Sequence, residues 1–364
     1  MLKTISWGSY GLSAGVVGSI AAGTMALTAF AAPPDDPDKI ISGAGLVGFA
    51  SEEGVDAFAA KMVALEQERY REQESAVYYD MAPAPPALSI APQEAIAEAA
   101  DASADRAPES ITNTQEAGVD EGGIVKNAGD YLVVLRRGRL FTVRTGGGAL
   151  TPVDTIDAFP PGATNPGSTW YDEMLIAGDQ VIVIGYSYGS TGTEVSRFNL
   201  SGDGKLSYHD THYLRSGDYY SSSNYATRLI GDELILYTPI YANWHDLDQS
   251  LPSIRENGSK EQQLLVKPQD FLVAEPYRSG RFPIDVLHTV TRCDLSAADL
   301  DCSATAIAGT WSRAFYVSRE AVYAWTGQSV AGWEDDAART PGQLYRIPLD
   351  GSRPGAVQVA GSPV

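Results

Sequence analysis

The chain has 364 residues, 44% of them apolar by the broad count and 20% charged, with a formal net charge of −20. That length suits two ordinary domains or one large repeat domain, and that apolar content excludes disorder throughout. With 46 acids against 26 bases and no basic block, the composition argues against a nucleic-acid partner, because a phosphate backbone is held by clustered Lys and Arg.

Residues 1–32 read as a signal peptide. Lys3 supplies a thin positive start, Leu12 to Ala32 carries no charge, and Ala29-Phe30-Ala31 fits the small-x-small cleavage pattern just before Pro33-Pro34. Cleavage is expected after Ala31 or Ala32. The alternative is a retained anchor, weakly apolar for a span because it is rich in Gly, Ala, Ser and Thr. No Cys lies at the cleavage site, so a lipid anchor is not supported. The protein is expected to be exported, to the periplasm, the cell surface or the medium. Any membrane contact would come only through an uncleaved N-terminal segment.

Residues 33–80 form an N-terminal segment with an amphipathic helix over 53–72, where Val55, Phe58, Ala59, Met62, Val63 and Leu65 recur near a period of 3.6. Residues 81–112 are rich in Pro, Ala and acid and read as a flexible linker that cannot bury enough apolar surface to offset its ordering entropy. Residues 33–130 hold 20 acids and 6 bases, so the acid excess is concentrated in this first third and reads as a solvated stretch rather than a binding field.

From residue 113 to 364 the chain is mainly β. Gly129-Asp130 followed by Tyr131-Leu132-Val133-Val134-Leu135 is echoed by Gly178-Asp179 before Gln180–Ile184, and by Gly231-Asp232 before Glu233–Tyr237. A weaker fourth copy runs Arg319–Trp325. A strand is predicted after three of the copies (139–144, 194–200, 343–349) and before three (173–177, 226–230, 314–318). Short strands joined by tight turns and repeating every 45–55 residues are the pattern of a β-propeller blade. A β-sandwich would explain the strands but not the repeat. The fourth copy is displaced, and residues 243–285, irregular and polar, are the expected insertion.

Thr112, Asn113, Gly118, Val119, Asp120, Glu121, Ile124, Val125, Lys126 and Gly129 together resemble the opening signature of a family of bacterial secreted proteins with a C-terminal β-propeller distantly related to WD repeats. Gly123 stands where that family usually has an acid. The resemblance covers about residues 112–364 and implies fold and compartment, not mechanism. Family propellers run longer than the roughly four blades visible here. That implies either a piece of a longer chain or an arc completed by another chain.

Cys293 and Cys302 are expected to form a disulfide in an oxidising compartment, with two unpaired thiols as the alternative. Gly185-Tyr186-Ser187-Tyr188-Gly189 matches a nucleophile elbow by pattern but lacks the following helix, so it is read as a hairpin loop. His209-Asp210-Thr211-His212 is read as structural, since positions 209 and 212 of a regular strand face opposite sides. Asn199–Gly204, with Asp210 in the twelfth position, faintly resembles a calcium loop, but a polar turn explains the same residues. No other cofactor is indicated. Asp120 and Glu121 are read as capping the entry to the first blade, with cation binding as the alternative.

Tyr208, Tyr213, Tyr219, Tyr220 and Tyr225, with Trp244 downstream, lie among Ser, Asp and Asn and suit stacking on a sugar or adaptable protein contacts. Packing on strands is the competing account. No catalytic set stands out. The leading expectation is therefore an exported propeller acting as a non-catalytic binding or scaffolding module, with a protein or glycan partner at the cell envelope. The alternative is a secreted hydrolase of glycans or esters with carboxylates at the propeller channel.

Overall fold

A computed structural model describes residues 39–43, 45–79, 118–189, 192–216, 226–278, 284–311, 314–326, 329–330, 339–340 and 342–359. The expected signal peptide (1–32) and linker (81–112) lie outside the described residues, as do Tyr219, Tyr220 and Tyr225.

Four antiparallel meanders of four strands follow one another. The first is Val125–Ala128, Tyr131–Arg136, Arg139–Gly146 and Ala149–Asp157. The second is Thr169–Ala177, Gln180–Ser187, Gly192–Leu200 and Leu206–Leu214. The third is Ala226–Ile230, Glu233–Tyr241, Val286–Asp294 and Asp301–Gly309. The fourth is Ala314–Val317, Ala321–Thr326, Gly342–Pro348 and Gly355–Val359.

The repeat marks the turn between the first two strands of each meander. Ala128 pairs with Tyr131, Ala177 with Gln180 and Ile230 with Glu233, so each Gly-Asp pair is a two-residue hairpin loop. The three glycines have φ of 61°, 59° and 61°, whereas no Asp has positive φ among the described residues. That is the geometry of a turn whose first central residue must be Gly. The fourth copy has no Gly. Its longer loop is held instead by the Ser318 hydroxyl, which accepts from the Ala321 N–H at 3.0 Å.

The 243–285 insertion falls between the second and third strands of the third meander. Its described residues carry more regular structure than its polar, irregular sequence predicts. Ser253–Glu256 and Gln263–Leu264 continue the second sheet beyond its fourth strand, and Phe271–Ala274 runs parallel to Asp301–Gly309. Leu46–Phe49 and Lys39–Gly43 then extend that third sheet on this side, and Asp120–Glu121 on its opposite edge brings it to eight strands.

Apolar side chains fill the spaces between successive sheets. Val133, Leu135 and Leu140 meet Met174, Val181, Val183 and Phe198 between the first and second. Ile182, Ile184 and Val195 meet Leu229, Leu234 and Leu236 between the second and third. Tyr237, Leu287 and Val290 meet Val322, Tyr345 and Ile347 between the third and fourth. The strand Gln180–Ser187 is buried on both faces, which explains its unbroken apolar run.

The helix spans Glu52–Tyr79, longer than the predicted 53–72. Ser51 precedes it, and its hydroxyl accepts from the Gly54 N–H at 3.4 Å, as expected of an N-cap. Val55, Phe58, Ala59 and Met62 are buried as the periodicity requires, against Phe49, Phe271 and Trp244. No helix among the described residues is long and apolar enough to cross a membrane.

The segment Gly118–Lys126 touches all four meanders. Asp120–Glu121 pairs with Arg228 and Leu229 of the third, and Gly123 exchanges two backbone hydrogen bonds with Met174 of the second. Lys126, in the first, donates to Asp120 Oδ1 at 2.7 Å, and Arg228 pairs with Glu121 at 3.0 Å. Gly118, at φ 83°, leaves room for Arg319 of the fourth, which a Cβ would approach to 3.1 Å. Asp120 and Glu121 therefore do more than cap the first blade. They tie its entry strand to the inner strand of the third.

Candidate functional site

One face of the second sheet carries a row of residues at the same height. Tyr171 pairs with Gly185, Gly185 with Glu194, Glu194 with Tyr213 and Tyr213 with Arg255. Cross-strand neighbours lie close enough for long side chains to meet. Gly185 has no side chain, so the Tyr171 hydroxyl reaches across it and donates to Glu194 Oε1 at 2.7 Å. Thr169 Oγ1 donates to Glu194 Oε2 at 3.1 Å, and Ser196 Oγ lies 3.5 Å from Oε1. A bulge between Tyr171 and Glu173 resets the register of the first strand and brings Tyr171 opposite Gly185.

Thr169, Tyr171, Glu194 and Tyr213 line a cleft of about 420 Å³ together with the loop Pro160–Pro166, Ser187 and Asn257. Glu194 is 2% exposed. Burial raises its carboxyl above the usual carboxylate range, and the hydroxyls of Tyr171, Thr169 and Ser196 oppose that rise. Burial raises Tyr171 as well, with the Glu194 charge adding to it. No Lys, Arg or His lines the cleft among the described residues.

The Gly-x-Ser-x-Gly pattern has a structural explanation here. Gly185 is the gap under the Tyr171 ring: a Cβ there would stand 2.5 Å from the Trp170 carbonyl oxygen and 2.9 Å from Tyr171 Cδ1. Ser187 ends the same strand, buried at the cleft wall, with a turn rather than a helix after it. Glu194 itself was hidden in the sequence as one charged residue in a strand pattern. Its pairing with a glycine between two tyrosines is a signal only the register reveals.

The predicted aromatic surface divides. Tyr213 lines the cleft, its hydroxyl donating to Asn257 Oδ1 at 3.3 Å and its ring under the Arg255 guanidinium at 4.5 Å. Tyr208 is half-buried, edge-on to Phe198, and donates to Thr211 Oγ1 at 3.2 Å. Trp244 belongs to the core and not to this surface. It is 4% exposed, its indole N–H donates to the Ile284 carbonyl at 2.8 Å, and its ring receives Phe58 of the helix.

Asp210 gathers His209 and His212, at 3.1 and 3.8 Å, because a bulge at His209 breaks the regular alternation that would separate them. Asp210 also grips Arg197, which is fully buried and donates further to the carbonyls of Ala297 and Ala298. Those carbonyls sit in the loop of the hairpin closed by a disulfide between Cys293 and Cys302. Burial holds His212 below the usual imidazole range despite Asp210. Arg197 thus locks the second sheet to the third. Within the calcium-loop-like stretch, Asn199 and Leu200 end a strand and Ser201–Gly204 is a turn held by Ser201, whose hydroxyl bonds Asp203 and the Lys205 backbone, while Asp210 is committed to Arg197. No cluster of three or more metal-ligating side chains occurs among the described residues.

Four successive meanders packed face to face around a shared entry segment define a β-propeller. Residues 109–362 match the family described as Beta propeller domain, and the chain belongs to that family. No curated protein matches the chain.

Proposed function

We propose that this propeller is exported and works as a non-catalytic binding module at the cell envelope or outside the cell, with the Glu194 cleft as its recognition site and a protein or glycan as its partner. The observation that carries this reading is the cleft itself: one carboxyl, Glu194, ringed by tyrosine and hydroxyl groups. Glycoside hydrolysis works with a pair of carboxyl groups about 5–10 Å apart, and the cleft's described lining supplies one. An ester hydrolase would need a His beside Ser187, and the lining supplies none. The leader-like N-terminus and the disulfide agree with an oxidising compartment.

The test is an array of envelope polysaccharides and peptides probed with the wild type and Tyr213→Ala. The wild type is expected to bind a subset, and the variant to bind that subset about tenfold or more weakly, as for an aromatic anchor. Unchanged binding by the variant would move the site elsewhere. Turnover of chromogenic glycosides or esters, abolished by Glu194→Gln, would replace the binding reading with a hydrolytic one.

A further inference from the structure

The Glu194 cleft raises a question of charge. A carboxylate taken out of water is costly unless an opposite charge meets it. Elsewhere among the described residues four half-buried acids find such partners: Asp210 has Arg197, Asp120 has Lys126, Glu121 has Arg228 and Glu233 has Arg292. Glu194 is more deeply buried than any of these. Its partners are the neutral hydroxyls of Tyr171, Thr169 and Ser196. Arg255, the nearest base in the row, stacks on the Tyr213 ring and donates to the Ser259 carbonyl at 3.3 Å. It does not line the cleft.

Resting on the reading of this cleft as the binding site, we infer that it takes an amino sugar through its ammonium group, which completes the charge of Glu194. Glu194 Oε2 accepts from Thr169 and keeps a second acceptor position, and a charge-assisted N–H bond is stronger than the neutral bonds already present. Tyrosine faces attract a cation and stack on a sugar ring. The remaining lining explains the choice of a sugar over a lysine side chain. Thr164, Asn165, Ser168, Ser187 and Asn257 offer hydroxyls and amides, which suit a ring bearing several hydroxyls better than a tetramethylene stem.

Isothermal titration near neutral pH decides the matter, with three probes against the full chain: a glucosamine tetramer, its fully N-acetylated counterpart and a tetralysine peptide. The glucosamine tetramer is expected to bind about tenfold or more tightly than the acetylated one, and Glu194→Gln, nearly isosteric, is expected to erase that preference. Equal or tighter binding of the acetylated tetramer overturns the inference, as does tighter binding of tetralysine or a preference that survives in Glu194→Gln. Should that variant fold poorly, the wild-type preference must still shrink as salt is raised. A salt-independent preference overturns the inference equally. A neutral glycan bound in a Tyr213-dependent way sinks the ammonium and leaves the binding module standing. No binding by any probe, together with no effect of Tyr213→Ala on the array, sinks both.

Discussion

Gly185 shows how one missing side chain organises a site. The strand around it reads as an ordinary apolar run, and a glycine inside a strand is ordinarily a weakness. Here it opens the path by which Tyr171 reaches Glu194 and lets the Tyr171 ring lie against the backbone. Gly185→Ala is expected to cost about 1–3 kcal/mol, the range for overpacking a filled site, read as a lower urea midpoint at unchanged slope. The variant is also expected to separate the Tyr171 hydroxyl from Glu194. A stability equal to the wild type would show that the Trp170 carbonyl yields easily. Trp244 teaches the converse. Polar neighbours in sequence suggested a surface aromatic, but its indole N–H finds the Ile284 carbonyl, and with that bond made the ring is free to be buried.

At the scale of elements, the helix and the insertion depend on each other. The helix buries its first three turns, and Phe58 is the centre of that contact, meeting Phe49, Phe271 and Trp244 with centroids 5.7, 6.3 and 5.8 Å away. Phe271 and Trp244 both come from the stretch 243–285, which therefore receives the helix as well as extending two sheets. The 3.6-residue period identified the buried face of the helix; it carried no information about the partner, which lies some 200 residues further along. Phe58→Ala is expected to destabilise the chain by about 3–5 kcal/mol, the cost of emptying a large aromatic site, measured by denaturant unfolding. A change below about 1 kcal/mol would mean that the helix is dispensable to the fold. The disulfide belongs to this scale too. It closes the hairpin whose loop carbonyls hold Arg197, so it stiffens an inter-sheet contact as well as its own strand pair.

At the scale of the whole molecule, the sheets are joined by polar locks set within apolar layers. His288 is fully buried between the third and fourth sheets, near Tyr345. Its Nε2–H donates to the Thr310 carbonyl at 2.8 Å, which leaves Nδ1 to accept from the Tyr237 hydroxyl at 2.9 Å. Burial pushes this imidazole down to about 4 from its ordinary 6.5, so the folded state prefers the neutral ring. The stability this confers is complete above pH 6.5. It is lost as pH falls from 6.5 toward 4, by up to about 3 kcal/mol. Urea midpoints at pH 7 and pH 4.5 are expected to differ less in His288→Gln, which keeps a donor and an acceptor but does not titrate. An identical pH dependence in the two proteins would show that other groups govern acid unfolding.

The repeat, the Gly-Asp turns, the amphipathic helix and the cysteine pair could all be read from the sequence, because each is a local constraint. A two-residue hairpin needs glycine at one position, a helix face repeats every 3.6 residues, and two thiols nine residues apart meet across one hairpin. The cleft could not be read this way. Tyr171, Gly185, Glu194 and Tyr213 are spread over 43 positions and become neighbours only through strand register, which a bulge shifts by one residue. The Gly118–Gly123 segment is intermediate. Its residues stood out as a signature, but their work, bonding at once to sheets that begin near residues 125, 169 and 226 while lying against Arg319 of the fourth, exists only after those sheets have packed. Local backbone geometry is written in neighbouring residues, whereas the pairing of a buried charge is decided by whatever the fold brings beside it.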